Sequence, residues 1–442
     1  MNWKLMKLGA LLTQSKELST APDANRRIRV KLNVGGVEKR PVSNEVEGAT
    51  NYYTRKAGQF IFGTQNFHKG AFGVIPPELD GFETSNDIPS FDVSKDCLPE
   101  WIFFYFKVGD RYKELEKLVR GVGSKRVHPK QIFEFEIPVP PVAEQLTIIE
   151  QVQASAARQR MITEESVQQL THLTQLRQAL LREAMQGQLL PQDPTDEPAA
   201  MLLKKIQAAR AAIIKGGKSK AGTLFLEEAE TVEGLFDIPA SWAWCTLDDI
   251  SVLITDGTHQ TPSYTEQGRP FLSAQNIKPF RFMPEVHRYV SEEAYQEYTR
   301  IKKPELGDLL IARVGAGIGE CAVIDKQIDF AFYVSLGLVK LISGFLSADY
   351  LAYMINGPFG VAYSKNNIAS KGGSAGNFNL TKIRTFPIPL PPLAEQHRIV
   401  AKLAQLLQHC DALEQRIRES RRLAEQLLAT ALREALAPPT GT

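Results

Sequence analysis

One phrase of the sequence occurs twice and constrains the fold more than any other feature. Residues 137–145 read IPVPPVAEQ, and residues 388–396, which begin 251 positions later, read IPLPPLAEQ. At the same spacing, the tetrapeptide LREA at 181–184 returns at 432–435. The two segments therefore align without a gap for about 50 residues. Solenoid proteins repeat every 20–50 residues or so, so this much longer period indicates a duplicated chain whose halves end in the same segment.

Each repeated segment is predicted to be a Pro-rich entry followed by one long helix. Proline fixes φ and lacks an N–H group, which keeps the entry extended, and it is tolerated in a first helical turn. Beyond the entry, no Pro or Gly occurs before Gly187 in the first copy or Pro438 in the second. We therefore predict entries and spacer helices at 137–186 and 388–437. Forty helical residues span about 60 Å, which makes each helix a rigid spacer.

The apolar residues of the second copy step alternately by four and three positions, which is the spacing of a coiled-coil seam. This seam comprises Ile399, Leu403, Leu406, Cys410, Leu413 and Ile417. In the same register, the middle of the first copy is polar, and the later seam positions are Leu173, Leu176 and Leu180. A single copy fits an ordinary core helix equally well. Two gap-free copies favour a paired, antiparallel coiled coil.

Length and composition are those of an ordinary globular protein. The chain of 442 residues is long enough for two or three domains, and its net charge is only +2. The four cysteines form no C-x-x-C pair, so neither a zinc site nor a disulfide framework is predicted. No apolar run has the length of a membrane span or of a signal-peptide core. We therefore expect a soluble protein of a reducing compartment, the cytoplasm.

The globular parts of the two halves also match, though more faintly. Residues 58–62 align with 307–311 at a spacing of 249, and Gly70 aligns with Gly319 at the same spacing. The expected fold class is mixed α+β: two globular domains separated by two long antiparallel coiled-coil helices, with an internal pseudo-two-fold duplication. The predicted segments are domain 1 at 1–136, helix 1 with its entry at 137–186, a linker with a short helix at 187–240, domain 2 at 241–387, and helix 2 with its entry at 388–437.

Local patterns predict elements inside these segments. Alternating apolar and polar residues predict a strand over 28–34, followed by a turn at Gly35 and Gly36. The remaining predicted elements are strands at 58–62 and 73–75 and helices at 98–102, 110–119, 199–214 and 347–356.

Charge varies along the chain in a way that bears on nucleic-acid binding. The formal net charge is +4 over residues 1–136, +2 over 137–222, −5 over 223–387 and +1 over 388–442. Because the third segment is acidic overall, a basic face there would have to be local.

The sequence offers no catalytic constellation. The glycine-rich run at 315–319 lacks both the G-x-G-x-x-G spacing and a following helix, so a turn between two strands is predicted instead of a phosphate-binding loop. No Lys follows an acidic residue by two positions, as nucleases of the P-D…[DE]-x-K type require. The Asn/Asp-Pro-Pro-aromatic loop of amino-methyltransferases is also absent from the sequence. The seven histidines have no metal-ligand spacing. We predict no catalytic residue and no metal site.

Polar and basic loops next to predicted strands suit recognition of base edges and phosphates. The candidates in domain 1 are Arg55, Lys56, Gln65, Asn66, Lys69, Lys125 and Arg126. The candidates in domain 2 are Thr258, His259, Gln260, Thr261, Gln275, Asn276, Arg313 and Lys371. Each residue taken alone fits a solvated polar loop at least as well, because Asn and Gln are also common turn residues.

The repeated phrase, in residues 138–145 and 389–396, and the LREA endings resemble the specificity subunit of Type I restriction–modification enzymes. Residues 242–258, with Gly307-Asp308-Leu309-Leu310 downstream, resemble the target-recognition domain of that family more weakly. The resemblance covers essentially the whole chain. It implies two target-recognition domains, each of which reads one half of a bipartite, asymmetric DNA site with an unread gap between the halves.

The resemblance also implies partners for a subunit that is not itself catalytic. Two methyltransferase subunits would dock on the conserved helices, and a translocating restriction subunit would complete the complex. S-adenosylmethionine, ATP and Mg²⁺ would belong to those partner subunits, and no cofactor would bind this chain. The partner-binding candidates are Glu144 and Gln145 in the first phrase and Glu395 and Gln396 in the second.

Two other functions remain open at this level. The chain could be a scaffold whose coiled coil and globular domains bind proteins, and salt-dependent DNA binding would distinguish it from a DNA reader. A methyltransferase fused to its own reader is disfavoured by the missing catalytic loop.

Overall fold

The structure is a computed structural model that forms two compact units. Unit 1 contains residues 1–168 and 416–442, and unit 2 contains residues 169–415. Each unit therefore includes a part of both repeated helical segments. The residues that the structure describes are 3–41, 50–118, 127–215, 235–368 and 376–437.

The described strands and helices are numbered along the chain. The strands of unit 1 are β1 (Lys4–Lys7), β2 (Leu12–Ser15), β3 (Ile28–Val30), β4 (Val37–Lys39), β5 (Tyr52–Thr54), β6 (Phe60–Phe62), β7 (Phe72–Val74), β8 (Glu83–Ser85), β9 (Ser90–Val93) and β10 (Glu136–Val139). The strands of unit 2 are β11 (Ala243–Thr246), β12 (Ser251–Asp256), β13 (Arg269–Leu272), β14 (Ile277–Lys278), β15 (Arg281–Phe282), β16 (Arg288–Val290), β17 (Leu309–Ala312), β18 (Cys321–Val323), β19 (Ala331–Phe332), β20 (Leu336–Leu341) and β21 (Pro387–Leu390). The α-helices are α1 (Leu8–Leu11), α2 (Pro99–Lys107), α3 (Pro129–Phe133), α4 (Val142–Met185), α5 (Ala199–Lys215), α6 (Glu292–Thr299), α7 (Ala348–Asn356), α8 (Pro358–Asn366), α9 (Leu380–Arg384) and α10 (Leu393–Ala435).

Unit 1 is built on a four-stranded antiparallel sheet in the order β2-β9-β6-β7. Aromatic side chains fill its core, and the rings of Phe62 and Phe91 stack with their centroids 5.2 Å apart. Trp101 of α2 lies in the same core and is fully buried. Large aromatic side chains remove much apolar surface from water, so this core holds α2 against the sheet.

Unit 2 repeats this plan with a sheet in the order β12-β20-β17-β18. Its core is more aliphatic, with Leu309, Ile311 and Val339 buried together. Helix α5 belongs to the same core, because Leu202 and Ile206 are buried in it. The short helix predicted within a linker is therefore a packed element of unit 2.

The duplication extends to single hydrogen bonds at the start of each long helix. The Trp3 indole N–H donates to Glu144 at 3.0 Å, and the Trp242 indole N–H donates to Glu395 at 2.9 Å. In both units the first strand pairs antiparallel with the Pro-rich entry, as β1 with β10 and β11 with β21. The repeated phrase thus forms the same junction twice.

The next residue of the phrase adds a second matched contact. Gln145 accepts a hydrogen bond from the Leu98 backbone N–H at 2.8 Å, and Gln396 accepts one from the Ser347 backbone N–H at 2.9 Å. Leu98 and Ser347 are the N-cap residues of α2 and α7. Each glutamine therefore satisfies an N–H at the start of the helix that packs on its own sheet.

The long helices pack against each other in opposite directions within unit 2. Arg177 of α4 donates to Asp411 at 2.6 Å and to Glu414 at 2.7 Å. One turn further along α4, Leu181 shares a buried core with Ile399 and Leu403 of α10. Later residues of α4 therefore meet earlier residues of α10.

Unit 1 contains the other parts of both long helices. Ile148 and Val152 of α4 share its core with Leu432 of α10 and with Leu436, which follows α10. The start of α4 thus packs near the end of α10, as Leu181 and Leu403 do with the opposite ends. The predicted antiparallel pairing of the long helices is confirmed within each unit.

The predicted seam is only partly correct. Leu173, Ile399, Leu403 and Cys410 are buried, and Leu180, Leu406 and Ile417 are half-buried. Leu176 and Leu413 were placed in the seam wrongly, because their side chains are 45% and 46% exposed. A straight α-helix drifts by about 20° per heptad relative to a strict seven-residue repeat. On α4 this drift brings Arg177 and Leu181 to the side that faces α10.

Several local predictions are confirmed and two are wrong. Strands β6 and β7, helices α2 and α7 and the turn after β17 occur where they were predicted, and Ser347 caps α7. The strand predicted over 28–34 ends at Val30, because Asn33 and Val34 adopt positive φ angles of 54° and 56°. The helix predicted over 110–119 is a 3-10 segment, Val108–Leu118, with a kink at Gly109 and Asp110.

Candidate nucleic-acid interface

The sheet of unit 2 gathers several connecting loops at one end. Strands β12 and β17 both pair antiparallel with β20, so they run in the same direction and end together. Asp256 and Ala312 are their last residues, and β18 and β20 begin at this end with Cys321 and Leu336. We call this edge, with the loops after Asp256 and Ala312 and before Leu336, the loop end of unit 2.

Unit 1 has an equivalent loop end. Strands β2 and β6 both pair antiparallel with β9 and end at Ser15 and Phe62, while β7 and β9 begin there with Phe72 and Ser90. The loop between β6 and β7 carries three of the predicted candidates, Gln65, Asn66 and Lys69. Topology therefore brings polar candidates to the same edge of both sheets.

The loop after β12 holds its polar side chains outward on a fixed backbone. His259, Gln260 and Thr261 are exposed. The Thr258 backbone N–H donates to the Phe332 carbonyl at 3.0 Å, and the Thr258 carbonyl accepts from the Val334 N–H at 3.0 Å. A loop anchored on both sides of its backbone can present side chains in a defined register.

Gly257 allows this anchoring by its lack of a side chain. A Cβ atom at this position would lie 2.2 Å from the Phe332 carbonyl oxygen. Any other residue would push the loop away from the strand that it contacts. The Asp-Gly-Thr sequence at 256–258 thus has a clear steric reason.

Arg313 lies beneath this loop and is not one of its exposed groups. Its guanidinium is buried, pairs with Asp256, and donates to the carbonyls of Val334 at 3.0 Å and Phe378 at 3.2 Å. These bonds connect the end of β12 with two other loops. Arg313 was predicted as a DNA contact, but its guanidinium is bonded within the protein, where it positions the loops.

Asn276 needs the same correction, whereas Gln275 does not. The Asn276 side chain is buried, accepts from the Ser273 N–H at 2.9 Å and donates to the Met283 and Val286 carbonyls. It closes the turn before β14 and has no free polar edge toward solvent. Gln275 is exposed and remains a candidate.

Arg55 has in unit 1 the role that Arg313 has in unit 2. It is buried and donates to Thr84 at 2.7 Å, to Ser90 at 3.1 Å and to the carbonyl of Ser15 at 3.0 Å. Burial lowers the pKa of Arg55 to about 10, so it stays charged at neutral pH. Arg55 was also predicted as a DNA contact, but these hydrogen bonds hold its guanidinium inside the domain.

The other candidates of unit 1 lie nearer the surface. Lys69 is exposed, and Gln65 and Asn66 are half-buried in the loop between β6 and β7. Lys56 is exposed and pairs with Glu17 at 2.7 Å, just beyond the end of β2. Three further candidates, Lys125, Arg126 and Lys371, lie outside the described residues.

Three of the four predicted partner-binding residues are enclosed within this chain, which argues against that role for them. Gln145 and Gln396 are fully buried, Glu395 is 1% exposed, and Glu144 is half-buried against Trp3. They form the junction between each sheet and its long helix, as described above. Burial raises the pKa of the Glu395 carboxyl, although the bonds from Trp242 and Gln192 favour its charged form.

Unit 2 also contains an aromatic–cation pair that was not predicted from the sequence. Tyr264 lies in the loop after β12 and is 41% exposed, and the Arg288 guanidinium is 4.5 Å from the centre of its ring. Aromatic and basic side chains together are typical of surfaces that bind nucleic acid. Their separation by 24 positions in sequence hides the pair, because only the fold joins the two segments.

The described residues contain no group of three or more His, Cys, Asp or Glu side chains that could hold a metal ion. None of the described helices is long and apolar enough to cross a membrane.

A family model for the Type I restriction modification DNA specificity domain matches residues 239–420. The chain is 30% identical over 272 residues to the Type I restriction enzyme EcoAI specificity subunit of Escherichia coli and 31% identical over 273 residues to the EcoEI specificity subunit of the same species. Each match covers 59% of this chain but only 44% and 43% of those relatives. The matched part of the chain thus spans less than half the length of either relative.

Solved structures agree on the fold. The HsdS subunit from Thermoanaerobacter tengcongensis superposes with a TM-score of 0.60 at 19% identity, covering 98% of this chain and 96% of that one. A chain from a structural study of assembly and conformational transition in the type I R-M system gives a TM-score of 0.65 at 18% identity, covering 98% and 97%. At such identities these likenesses concern the fold alone. Residues 239–420 thus match a Type I restriction–modification DNA specificity domain, and the chain is similar to specificity subunits of that type in sequence over part of its length and in fold over nearly all of it.

Proposed function

We propose that this chain reads DNA sequence for a Type I restriction–modification complex and contributes no catalytic group of its own. Unit 1 would read one half of a bipartite site and unit 2 the other. The observation that carries the proposal is the pair of loop ends, which set unlike polar loops on the same four-stranded scaffold. Unlike loops predict unlike half-sites and hence an asymmetric target.

The exposed candidates suit this task chemically. Gln260, Thr261 and Gln275 in unit 2, with Gln65 and Lys69 in unit 1, offer donors and acceptors for base edges. A good bidentate contact to a base discriminates by about 1–3 kcal/mol, so a few such residues give useful specificity. Phosphate contacts from lysine and arginine add affinity that falls as salt concentration rises.

Partner subunits would bind on the long helices, where apolar side chains remain exposed. On the unit 1 part of α4, Met161 and Val167 are 69% and 52% exposed, and on α10 Leu427 is 70% exposed. A helix that leaves such residues in water has apolar surface available for another protein. We assign this surface to methyltransferase subunits, with a restriction subunit completing the assembly. S-adenosylmethionine, ATP and Mg²⁺ would be bound by those partners.

A footprint of the reconstituted complex tests the proposal. The chain is combined with its methyltransferase subunits on a DNA duplex that carries the preferred site, and protection of bases is mapped at several salt concentrations. Two protected elements with an unprotected gap between them are expected. One continuous protected element, or protection that does not depend on sequence, would contradict it.

Matched variants assign the half-sites. Gln260→Ala in unit 2 should relax base preference in one half-site only, and Gln65→Ala in unit 1 should relax it only in the other. Gln14→Ala is the control, because Gln14 lies within β2 and not in a loop. A variant that changes preference in both half-sites would argue against one unit per half-site.

A protein-binding scaffold is the second candidate function. The exposed apolar residues on the long helices favour it, as does the net charge of −5 over residues 223–387. Salt-independent or undetectable DNA binding, with the methyltransferase subunits present, would decide for the scaffold.

A further inference from the structure

The two units share an unusual backbone feature, a positive φ angle at the tip of a hairpin. Four non-glycine residues of the described chain have positive φ, and three of them lie at hairpin tips: Asn33 and Val34 between β3 and β4, and Phe280 between β14 and β15. Positive φ is unfavourable for side chains other than glycine, and most of all for branched or bulky ones. Such conformations concentrate where function requires them.

Both hairpin tips lie against the equivalent turn of their own sheet. In unit 1, the Asn33 and Val34 N–H groups donate to the carbonyls of Lys69 and Gly70, each at 2.9 Å, in the loop between β6 and β7. In unit 2, the Phe280 N–H donates to the Cys321 carbonyl at 3.0 Å, at the start of β18. Each tip therefore sits at the loop end of its unit, and in unit 1 it contacts the loop that carries the candidates Gln65, Asn66 and Lys69.

Each tip exposes one large apolar side chain. Leu32 is 47% exposed in unit 1, and Phe280 is 41% exposed in unit 2, where its ring centroid lies 5.2 Å from that of Tyr353. The bonds at the Asn33 and Phe280 backbones keep these side chains at the edge of the sheet and prevent the tips from folding inward.

Basic residues flank both apolar side chains. Arg29 and Lys31 of the first hairpin share a single carboxylate, Glu38. In the second hairpin, Lys278 and Arg281 are exposed on either side of the tip, with Glu320 at 3.8 Å from Lys278. Two cations around one apolar side chain suit the edge of a DNA groove, where phosphates border the bases.

We propose that the two hairpin tips are further specificity-determining DNA contacts, in which Leu32 and Phe280 make apolar contact with base edges while the flanking lysine and arginine residues contact phosphates. The inference rests on the proposed function and extends it to residues outside the polar loops. An apolar side chain recognises thymine through contact with its C5-methyl group, whereas Gln and Lys side chains recognise bases through hydrogen bonds. The tips would thus complement the Gln and Thr side chains of the polar loops.

The test compares one tip variant in each unit with a matched control. Phe280→Asn keeps a residue that tolerates positive φ but removes the ring, and Leu32→Ser removes the apolar side chain of the other tip. Leu306→Ser is the control, because Leu306 is 59% exposed and precedes β17 at the opposite end of the sheet. Each full-length chain is reconstituted with methyltransferase subunits and used to select from a randomised DNA duplex library.

Each tip variant should relax base preference at one or more positions of a single half-site. Affinity for the wild-type site should fall by roughly tenfold, the usual scale of one lost base contact. The slope of affinity against salt concentration should stay the same, because no charge is removed. The control should select the wild-type site with unchanged affinity.

Other outcomes overturn the inference in separable ways. If the wild-type complex selects a site and both tip variants select it equally well, the tips are not DNA contacts, whatever happens to thermal stability. If a tip variant instead loses its methyltransferase subunits on gel filtration while keeping its base preference, the tip binds protein. If the wild-type complex selects no sequence at all, the proposed function itself has failed.

Discussion

Replacing Leu403 by alanine should destabilise unit 2 by about 2–5 kcal/mol, the usual cost of a buried Leu→Ala change. The Leu403 side chain is fully buried where α10 packs on α4, in a core that includes Leu181 and Ile399. The change removes apolar contacts and leaves a cavity that rigid helices cannot close completely. With a urea dependence of about 3 kcal/mol per molar, the unfolding midpoint should fall by about 1 M.

Leu413→Ala provides a matched control on the same helix. The chemical change is identical, but Leu413 is 46% exposed, so the expected effect is within about 0.5 kcal/mol. Urea unfolding followed by tryptophan fluorescence compares the two variants with the wild type. If the two variants lost the same stability, whether much or little, the helix packing described here would be refuted. A strict heptad seam would bury both leucines alike.

Buried polar groups lead to three further predictions. Burial raises the pKa of Glu395, so its protonated form is favoured in the folded state. Wild-type stability should therefore fall as pH rises from about 4.5 through the raised pKa. Glu395→Gln should remove this pH dependence from urea melts recorded across that range. Arg313→Met should cost about 3–5 kcal/mol, measured by urea unfolding, because it removes the buried guanidinium and leaves the Asp256 carboxylate with the exposed His259 imidazole at 3.2 Å. A neutral result would mean that the pair is open to water. Arg55→Met should likewise destabilise unit 1 in urea melts. Lys56→Met should leave stability unchanged and should reduce the slope of log affinity for DNA against log salt concentration by about one. If Arg55→Met changed that slope and left stability unchanged, Arg55 would be a DNA contact after all.

Elements with local causes could be predicted from sequence. The long helices follow from segments without Pro or Gly, and the turn at 315–319 follows from its glycines. The duplication predicted that both halves share a plan, and matched bonds at Glu144 and Glu395 bear this out at atomic level.

Burial of polar residues could not be predicted in the same way. Arg55 and Lys56 are neighbours in sequence, yet the first lies inside unit 1 and the second on its surface. The difference arises from Thr84 in β8 and Ser90 in β9, which lie 29 and 35 positions further along the chain. Likewise, the sequence around Leu176 does not indicate that Arg177, and not Leu176, faces α10. Which of the two residues faces α10 depends on how the two helices twist around each other.

Unit 1 is built from two separate parts of the chain, and this affects how the protein folds during synthesis. Its core includes Leu432 and Leu436 alongside side chains from the first 152 residues, whereas unit 2 is one unbroken stretch. Ribosomes add about 5–20 residues per second. The aromatic segments of unit 1 are therefore synthesised tens of seconds before the residues of α10 that complete their core. Unit 2 is completed at residue 415, before the end of α10 that closes the core of unit 1 is synthesised. Until then, the aromatic side chains of the amino-terminal part lack their last packing partners.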